Sequence, residues 1–173
     1  MNLSNFRIKS TLAGLAILAG TVIPASSTFA ENIPIPPNAV FGGYDTDGTA
    51  LYVCSGIYNN GVHPGKRPSN SDNCYIGYGG YEVFSPSSSS VVLTNPFNVS
   101  NRIPKFYWIT SSDQQPIPIN AVPTGFERGY SLYSCRASYN GGTAIGKLTD
   151  LKLCYFGYGG REISANSYDV LGQ

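Results

Sequence analysis

The 173-residue sequence contains the same pattern twice, and this duplication constrains the fold more than any other feature. Residues 51–82 begin L-Y-V-C-S-G-I-Y-N-N-G-V-H-P-G-K and end C-Y-I-G-Y-G-G-Y-E. Residues 132–162 begin L-Y-S-C-R-A-S-Y-N-G-G-T-A-I-G-K and end C-Y-F-G-Y-G-G-R-E, so half of the first block and seven of the nine positions in the second are identical. Such self-similarity indicates a tandem repeat, and the fold must accommodate two equivalent units.

The first thirty residues have the organisation of a secretory signal peptide. Arg7 and Lys9 form a basic start, residues 12–23 are apolar and uncharged, and residues 28–30 (T-F-A) present small side chains at the positions that a signal peptidase reads. The apolar run is too short for a bilayer-spanning helix, which makes an uncleaved anchor the weaker alternative. We predict that residues 1–30 are removed and that the protein is secreted, to the extracellular space or a periplasm, without stable membrane insertion.

Charge and composition argue against several classes of partner. Loss of Arg7 and Lys9 takes the formal net charge from +1 to about −1. A near-neutral chain without a Lys/Arg cluster lacks the electrostatic footprint for polyanions, so nucleic acid is an unfavourable partner. His63 is the single histidine and no C-x-x-C motif occurs, so we expect no metal site and no cofactor.

Each repeat contains two cysteines about twenty residues apart: Cys54 and Cys74 in the first, Cys135 and Cys154 in the second. Four cysteines allow three pairings, and an internal pair in each copy favours Cys54 with Cys74 and Cys135 with Cys154. Each such bond would contribute roughly 3 kcal/mol by the chain-entropy estimate. Four buried thiols are the alternative.

The secondary structure is predicted to consist of short strands. In residues 51–58 the positions of Tyr52 and Cys54 keep their residue types in the second repeat while the intervening positions vary, which predicts a half-buried strand with its Tyr/Cys face inward. Asn-Gly and Gly-Gly pairs mark the turns. The predicted fold class is all-β, with two pseudo-twofold-related tandem repeats, residues 31–105 and 106–173, in one compact sandwich- or prism-like body. The segment around Trp108 could open the second repeat or add a strand to the first.

Three charged positions occur in both copies: Asp45 with Glu127, Lys66 with Lys147, and Glu82 with Glu162. The first two positions lie in glycine-containing loops, where backbone can approach a ligand closely. A carboxylate that accepts hydrogen bonds beside an ammonium that donates them suits a vicinal diol, so these pairs are candidate sugar sites. A structural ion pair between loops explains the same pattern equally well.

The lower-ranked candidates are Asp47, Glu82 and Glu162. A carboxylate after a Gly-Gly bend readily accepts from local backbone N–H groups, so Glu82 and Glu162 favour a structural role. The repeated tyrosines are assigned to the core. Arg67 follows Lys66, where the second repeat has Leu148, and could bind an acidic sugar.

The ordered motifs G-x-D-x-D-G-x-x-L-Y-V-C, P-G-K and C-Y-I-x-Y-G-G-x-E resemble the DM-nine repeat family, whose tandem modules also form the N-terminal part of natterin-like proteins. The resemblance spans essentially all of residues 31–173. It implies an all-β, pseudo-twofold body that binds mannose or mannose-containing glycans, with Asp45 and Lys66 as the sugar-binding pair. The second repeat departs from this pattern, because Glu127 replaces the aspartate on a loop one residue shorter and Ile145 replaces the proline.

Together these observations predict a secreted, non-enzymatic lectin-like protein with up to two weak sites per chain, and a homodimer would multiply the sites. Three alternatives belong to other classes. The natterin resemblance raises a component of a membrane-active toxin system. Paired carboxylates raise a glycoside hydrolase. An adhesive or protease-inhibitory scaffold is the third.

Overall fold

The computed structural model describes residues 33–95 and 105–173. The predicted signal peptide, residues 1–30, lies outside these residues. The described part consists of thirteen β-strands and one 3-10 helix of three residues, Ser87–Ser89, which confirms the all-β prediction. This part of the chain has no helix long and apolar enough to cross a membrane.

The strands follow the duplication. The first repeat contributes β1 (Phe41–Tyr44), β2 (Ala50–Tyr58), β3 (Gly61–Pro68), β4 (Cys74–Tyr78), β5 (Tyr81–Ser85) and β6 (Ser90–Val92). The chain continues with β7 (Tyr107–Ser112), β8 (Pro123–Glu127), β9 (Tyr130–Tyr139), β10 (Gly142–Leu148), β11 (Cys154–Tyr158), β12 (Arg161–Ala165) and β13 (Ser167–Gly172). Each of β8 to β12 is the equivalent of one of β1 to β5, and β13 pairs with β9 as β6 pairs with β2.

The two repeats share one sheet. Antiparallel pairs lead from β3 through β4, β5, β12, β11, β10, β9 and β8 back to β3, so eight strands form a closed ring. Among the described strands, two residue pairings join the repeats: Tyr81 with Arg161, and Val62 with Phe126. This arrangement confirms the prediction of two equivalent repeats in one body.

The segment around Trp108 belongs to the second repeat. It forms β7, which pairs with β13 over six consecutive positions, from Tyr107 opposite Gly172 to Ser112 opposite Ser167. Of the two predicted alternatives, the structure therefore supports a strand that opens the second repeat.

Strand β2 is buried on both faces, which corrects the prediction of a single inward Tyr/Cys face. Leu51 and Val53 are 0% exposed although they alternate with Cys54, which is 1% exposed. Two hydrophobic clusters cover the two faces. Val40, Ile145 and Leu171 pack with Leu51 and Val53, whereas Cys74 and Ile76 pack with Cys54. The strand is a shared wall between two parts of the core, so its period-two pattern does not separate core from solvent.

Both predicted disulfides are present, with Cα–Cα distances of 5.9 Å for Cys54–Cys74 and 5.8 Å for Cys135–Cys154. The predicted turns are also confirmed. Gly79 and Gly80 have φ of 60° and 91° and join β4 to β5 by a two-residue turn, a conformation that L side chains rarely adopt. The equivalent glycines join β11 to β12 in the same way.

Candidate ligand-binding site

The chain has two equivalent surface cavities, each centred on a repeated lysine. The first cavity, of about 380 Å³, contains Asp45, Lys66 and Glu82 together with Tyr158 and Gly159 of the second repeat. The second, of about 530 Å³, contains Glu127, Lys147 and Glu162 together with Tyr78 and Gly79 of the first repeat. The structure thus brings each predicted carboxylate–lysine pair into one cavity, and each cavity is built from both repeats.

In the first cavity the Lys66 ammonium is nearly enclosed. Its side chain is 6% exposed, and its Nζ lies 3.3 Å from Glu82 Oε1. The same Nζ donates to the backbone carbonyl of Gly157 at 2.9 Å and lies 4.9 Å from the centroid of the Tyr158 ring. Ion pair, hydrogen bond and aromatic face fix the ammonium in position and compensate for its burial.

The second cavity repeats this arrangement in a looser form. Lys147 Nζ lies 3.7 Å from Glu162 Oε1 and 4.7 Å from the centroid of the Tyr78 ring. Burial lowers the pKa of Lys147, and the carboxylates of Glu162 and Glu127 only partly oppose that effect. Lys147 therefore has fewer compensating contacts than Lys66, and its ammonium can donate hydrogen bonds to a ligand.

Glu82 and Glu162 tie the two repeats together. Glu82 Oε2 accepts from the backbone N–H of Gly160 at 2.9 Å, and Glu162 Oε2 accepts from that of Gly80 at 2.9 Å. The prediction that these carboxylates accept from a Gly-Gly bend is therefore right in chemistry but wrong in location, because each binds the bend of the other repeat. Their remaining oxygens face the lysines, so both glutamates also belong to the cavities.

Two glycines make this exchange possible. A Cβ added to Gly157 would lie 2.6 Å from the Glu82 side chain, and one added to Gly77 would lie 2.8 Å from the backbone of Phe156. Strands β4 and β11 can approach this closely only because neither residue has a side chain. Any larger residue there would move a glutamate away from its lysine.

Asp45 and Glu127 are held differently. Asp45 Oδ1 accepts from the backbone N–H of Thr46 at 2.7 Å, whereas Glu127 Oε1 accepts from the hydroxyl of Tyr78 at 3.1 Å. Lys66 forms its ion pair with Glu82, so the first cavity contains two carboxylates and one ammonium rather than an isolated Asp45–Lys66 pair. In the second repeat the longer glutamate compensates for the shorter loop, since Glu127 reaches the cavity.

Two of the charged residues considered from sequence have other roles. Asp47 accepts from the backbone N–H of Thr49 at 2.8 Å, and this hydrogen bond lowers the pKa of the exposed Asp47 carboxyl. Arg67 is buried, and its guanidinium donates to Asp72 at 3.0 Å and to the carbonyls of Ser71 and Ile33. Neither side chain is among the residues that line the lysine cavities, and the existing contacts of Arg67 favour a structural role over the suggested binding of an acidic sugar.

Tyr78 and Tyr158 were assigned to the core from sequence, and this assignment is incomplete. Both are only partly buried, and each places its ring face beneath the lysine of the opposite repeat. The signal was the Y-G-G triplet itself, because a tyrosine next to an exposed bend lies at the end of its strand, where one edge of the ring meets solvent. Sequence could not show that the lysine above it comes from the other repeat.

A histidine beside the second cavity breaks the symmetry of the two repeats, since the His63 ring lies 5.1 Å from the ring of Tyr78. His63, equivalent to Ala144, is 0% exposed and its Nε2 donates to the carbonyl of Tyr58 at 3.0 Å. Its Nδ1 has no partner within the described residues. Burial, and next the charge of Lys147, lower the pKa of His63, which keeps the ring neutral at pH 7.

The contents of each cavity match a neutral, hydroxylated ligand. Two carboxylates accept hydrogen bonds, one ammonium donates them, and a tyrosine ring provides an apolar face. The excess of carboxylates disfavours an anion. Among residues 33–95 and 105–173 there is no group of three or more His, Cys, Asp or Glu side chains arranged to hold a metal ion.

Comparison with known proteins gives three findings. The crystal structure of the nematode sperm cell motility protein MFP2B is similar to this chain, with a TM-score of 0.56 and 18% sequence identity. The similarity covers 81% of this chain and 42% of that one, so the chain spans less than half of the relative's length, and the likeness concerns the fold alone. No curated protein matches the sequence.

The sequence profile of the DM9 repeat matches the chain twice, over residues 16–85 and 91–165. These two matches coincide with the duplication seen in the sequence, since β1 to β5 lie within the first and β8 to β12 within the second. The chain belongs to the DM9 repeat family.

Proposed function

We propose that the protein is a secreted, lectin-like carbohydrate-binding protein that holds one sugar unit at each lysine cavity. The observation that carries this proposal is the nearly buried ammonium of Lys66, fixed within reach of a solvent-open cavity that also presents Asp45 and Glu82. Lys147 with Glu127 and Glu162 forms the equivalent set. Family membership supports a sugar ligand, and two disulfides are consistent with an oxidising compartment.

The proposed contacts follow from donor and acceptor chemistry. Adjacent hydroxyls of a pyranose donate to the carboxylates of Asp45 and Glu82 and accept from Lys66, while the ring of Tyr158 lies against the apolar C–H face of the sugar. Mannose is the proposed unit, and the protein binds it without transforming it. A single contact of this kind corresponds to a Kd of about 1 mM, or about −4 kcal/mol.

Useful affinity then comes from bivalency. Two cavities on one chain can engage a repetitive mannose-rich glycan together, and such linkage strengthens binding by about 10²- to 10⁴-fold without any new contact. A glycan whose spacing does not match the two cavities would bind only at the single-site level.

The experiment compares the wild type with the variants Lys66→Ala, Lys147→Ala and their combination. Each is measured on immobilised mannan and by calorimetric titration with methyl α-mannoside. Each single variant should retain millimolar binding to the monosaccharide but lose the avidity for mannan, and the double variant should lose both. The exposed Lys105, substituted by alanine, is the matched control and should bind like the wild type.

Unchanged mannan binding by the double variant would show that the lysine cavities are not the site. If the wild type binds glycans unrelated to mannan and the double variant does not, the lysine cavities remain the binding site but the proposed sugar is wrong. Incubation with nitrophenyl mannosides should release no nitrophenol, and turnover that the double variant abolishes would replace the binding proposal with an enzymatic one.

A further inference from the structure

A third cavity, of about 480 Å³, shares no lining residue with either lysine cavity. Its floor is formed by three adjacent strands, because the sheet register sets Arg136 of β9 opposite Asp169 of β13, and Asp169 opposite Thr110 of β7. These three polar side chains therefore form one row on the same face of the sheet.

The row is held in a fixed geometry. Arg136 Nε donates to Asp169 Oδ2 at 2.9 Å, and Thr110 Oγ1 donates to Asp169 Oδ1 at 3.0 Å. The guanidinium also donates to the carbonyl of Gly42 at 3.2 Å and stacks 4.6 Å from the Trp108 ring centroid. A guanidinium has five N–H donors, and two of them are used here, which leaves three for a ligand.

Free hydroxyls surround this ion pair. Ser138, Thr143 and Ser167 line the same cavity, and none of the three hydroxyls forms a hydrogen bond within the part of the chain that the structure describes. Thr143 is the cross-strand neighbour of Ser138, so both hydroxyls lie beside the Arg136 row. The side chains of Arg136 and Asp169 are 29% and 27% exposed, which leaves their free lone pairs and N–H groups accessible.

This cavity is not a product of the duplication. The first repeat places Ser55 opposite Val91 where the second places Arg136 opposite Asp169. The Ser55 hydroxyl donates a hydrogen bond to the carbonyl of Thr124 at 2.6 Å, and Val91 is 65% exposed. An arginine, a carboxylate and a stacked tryptophan are thus present in one copy only, at a position that the pairing geometry of the sheet does not require.

We propose that this cavity is a third binding site, specific for a neutral polyhydroxylated molecule such as a saccharide unit. The Asp169 carboxylate neutralises Arg136 and would repel an anion, while the lining of hydroxyls and backbone offers little to an apolar ligand. A sugar hydroxyl pair fits because Asp169 accepts and Arg136 donates from adjacent positions. The site does not depend on the lysine cavities, although it takes the same chemical class of ligand.

The test uses amide ¹H–¹⁵N spectra of the full chain with methyl α-mannoside, methyl β-galactoside or myo-inositol at about 20 mM, above a millimolar Kd. Inorganic phosphate is the anionic control. At least one neutral probe should shift the amides of Ser138, Ser167 and Asp169. The shifts should persist in the Lys66→Ala/Lys147→Ala variant, which separates this site from the lysine cavities.

The variant Arg136→Ser/Asp169→Val reproduces the first repeat and should weaken binding at these amides by at least about tenfold. Ser138→Trp is a second variant that fills the cavity from an exposed strand position without removing a described hydrogen bond, and it should have the same effect. Absence of shifts with all three neutral probes, shifts with phosphate alone, or shifts that survive in folded variants would overturn the proposal.

Discussion

Replacement of Lys66 by methionine tests how much its ion pair with Glu82 contributes to the stability of the fold. The aliphatic stem is retained and the charge is removed, so Glu82 is left 16% exposed with no cation at 3.3 Å. At that distance the Coulomb attraction is about 5 kcal/mol for an effective dielectric constant of 20. Most of it offsets desolvation, and loss of one partner of a buried pair costs about 3–5 kcal/mol.

We expect a loss near 3 kcal/mol, at the lower end of the range for a broken buried pair, because Glu82 keeps the backbone donor of Gly160 at 2.9 Å. The double variant Lys66→Met/Glu82→Gln removes both charges, while the new amide oxygen can still accept from Gly160. It should regain all but about 1 kcal/mol of the stability, since neutral pairs of similar volume replace buried ion pairs at little cost. Both variants should lose sugar binding at the first cavity.

The assay is urea denaturation followed by fluorescence of Trp108, the single tryptophan, with the free energy of unfolding taken by linear extrapolation. The matched pair is Lys147→Met with and without Glu162→Gln, where the wider 3.7 Å separation gives a Coulomb attraction of about 4.5 kcal/mol. A loss below about 1 kcal/mol for Lys66→Met, or a double variant no more stable than the single one, would refute the reasoning.

Three further results are expected. Burial lowers the pKa of His63 below 6.5, so on acidification the unfolded chain takes up the proton first, and the free energy of unfolding should fall as the pH drops below 6.5. The variant His63→Ala, which copies Ala144, should reduce this loss in urea titrations. An unchanged dependence of stability on pH would exclude His63 as its source. Sugar binding at the second cavity should disappear as the pH rises through a midpoint below 10.5, because burial lowers the pKa of Lys147. The midpoint is measured from amide shifts with methyl α-mannoside, and a midpoint of 10.5 or above would contradict this prediction. Replacement of Cys54 and Cys74 by alanine should cost about 3 kcal/mol in the same urea assay, and a cost below about 1 kcal/mol would argue against the loop-entropy account.

Sequence was sufficient for the features that depend on local pattern or on the repeat. The pairing of Cys54 with Cys74 followed from the presence of one pair in each copy, and the Gly79–Gly80 turn followed from backbone sterics. The candidate lysines followed from comparison of the copies, since a charge kept twice in a chain with few charged residues is conspicuous.

Sequence was insufficient where the answer depends on which strands meet. The exchange of Glu82 and Glu162 between the repeats arises from the long-range pairing of β5 with β12, and no local pattern encodes that contact. Comparison of the copies also hid the pair formed by Arg136 and Asp169, because a search for shared charges discards what only one copy possesses. Their proximity appears only once the register of β9 against β13 is known.

The reciprocal hydrogen bonds from Gly80 and Gly160 to the opposite glutamates have a consequence for the origin of the chain. A lone unit lacks the backbone donors that bind its own glutamate, so a single-repeat chain would complete a lysine cavity only as a symmetric homodimer. Presence of both units in one chain makes that assembly independent of protein concentration and allows each half to differ, as the single histidine of one half and the arginine–aspartate pair of the other illustrate. A split into separately expressed halves should therefore be reversible by mixing them.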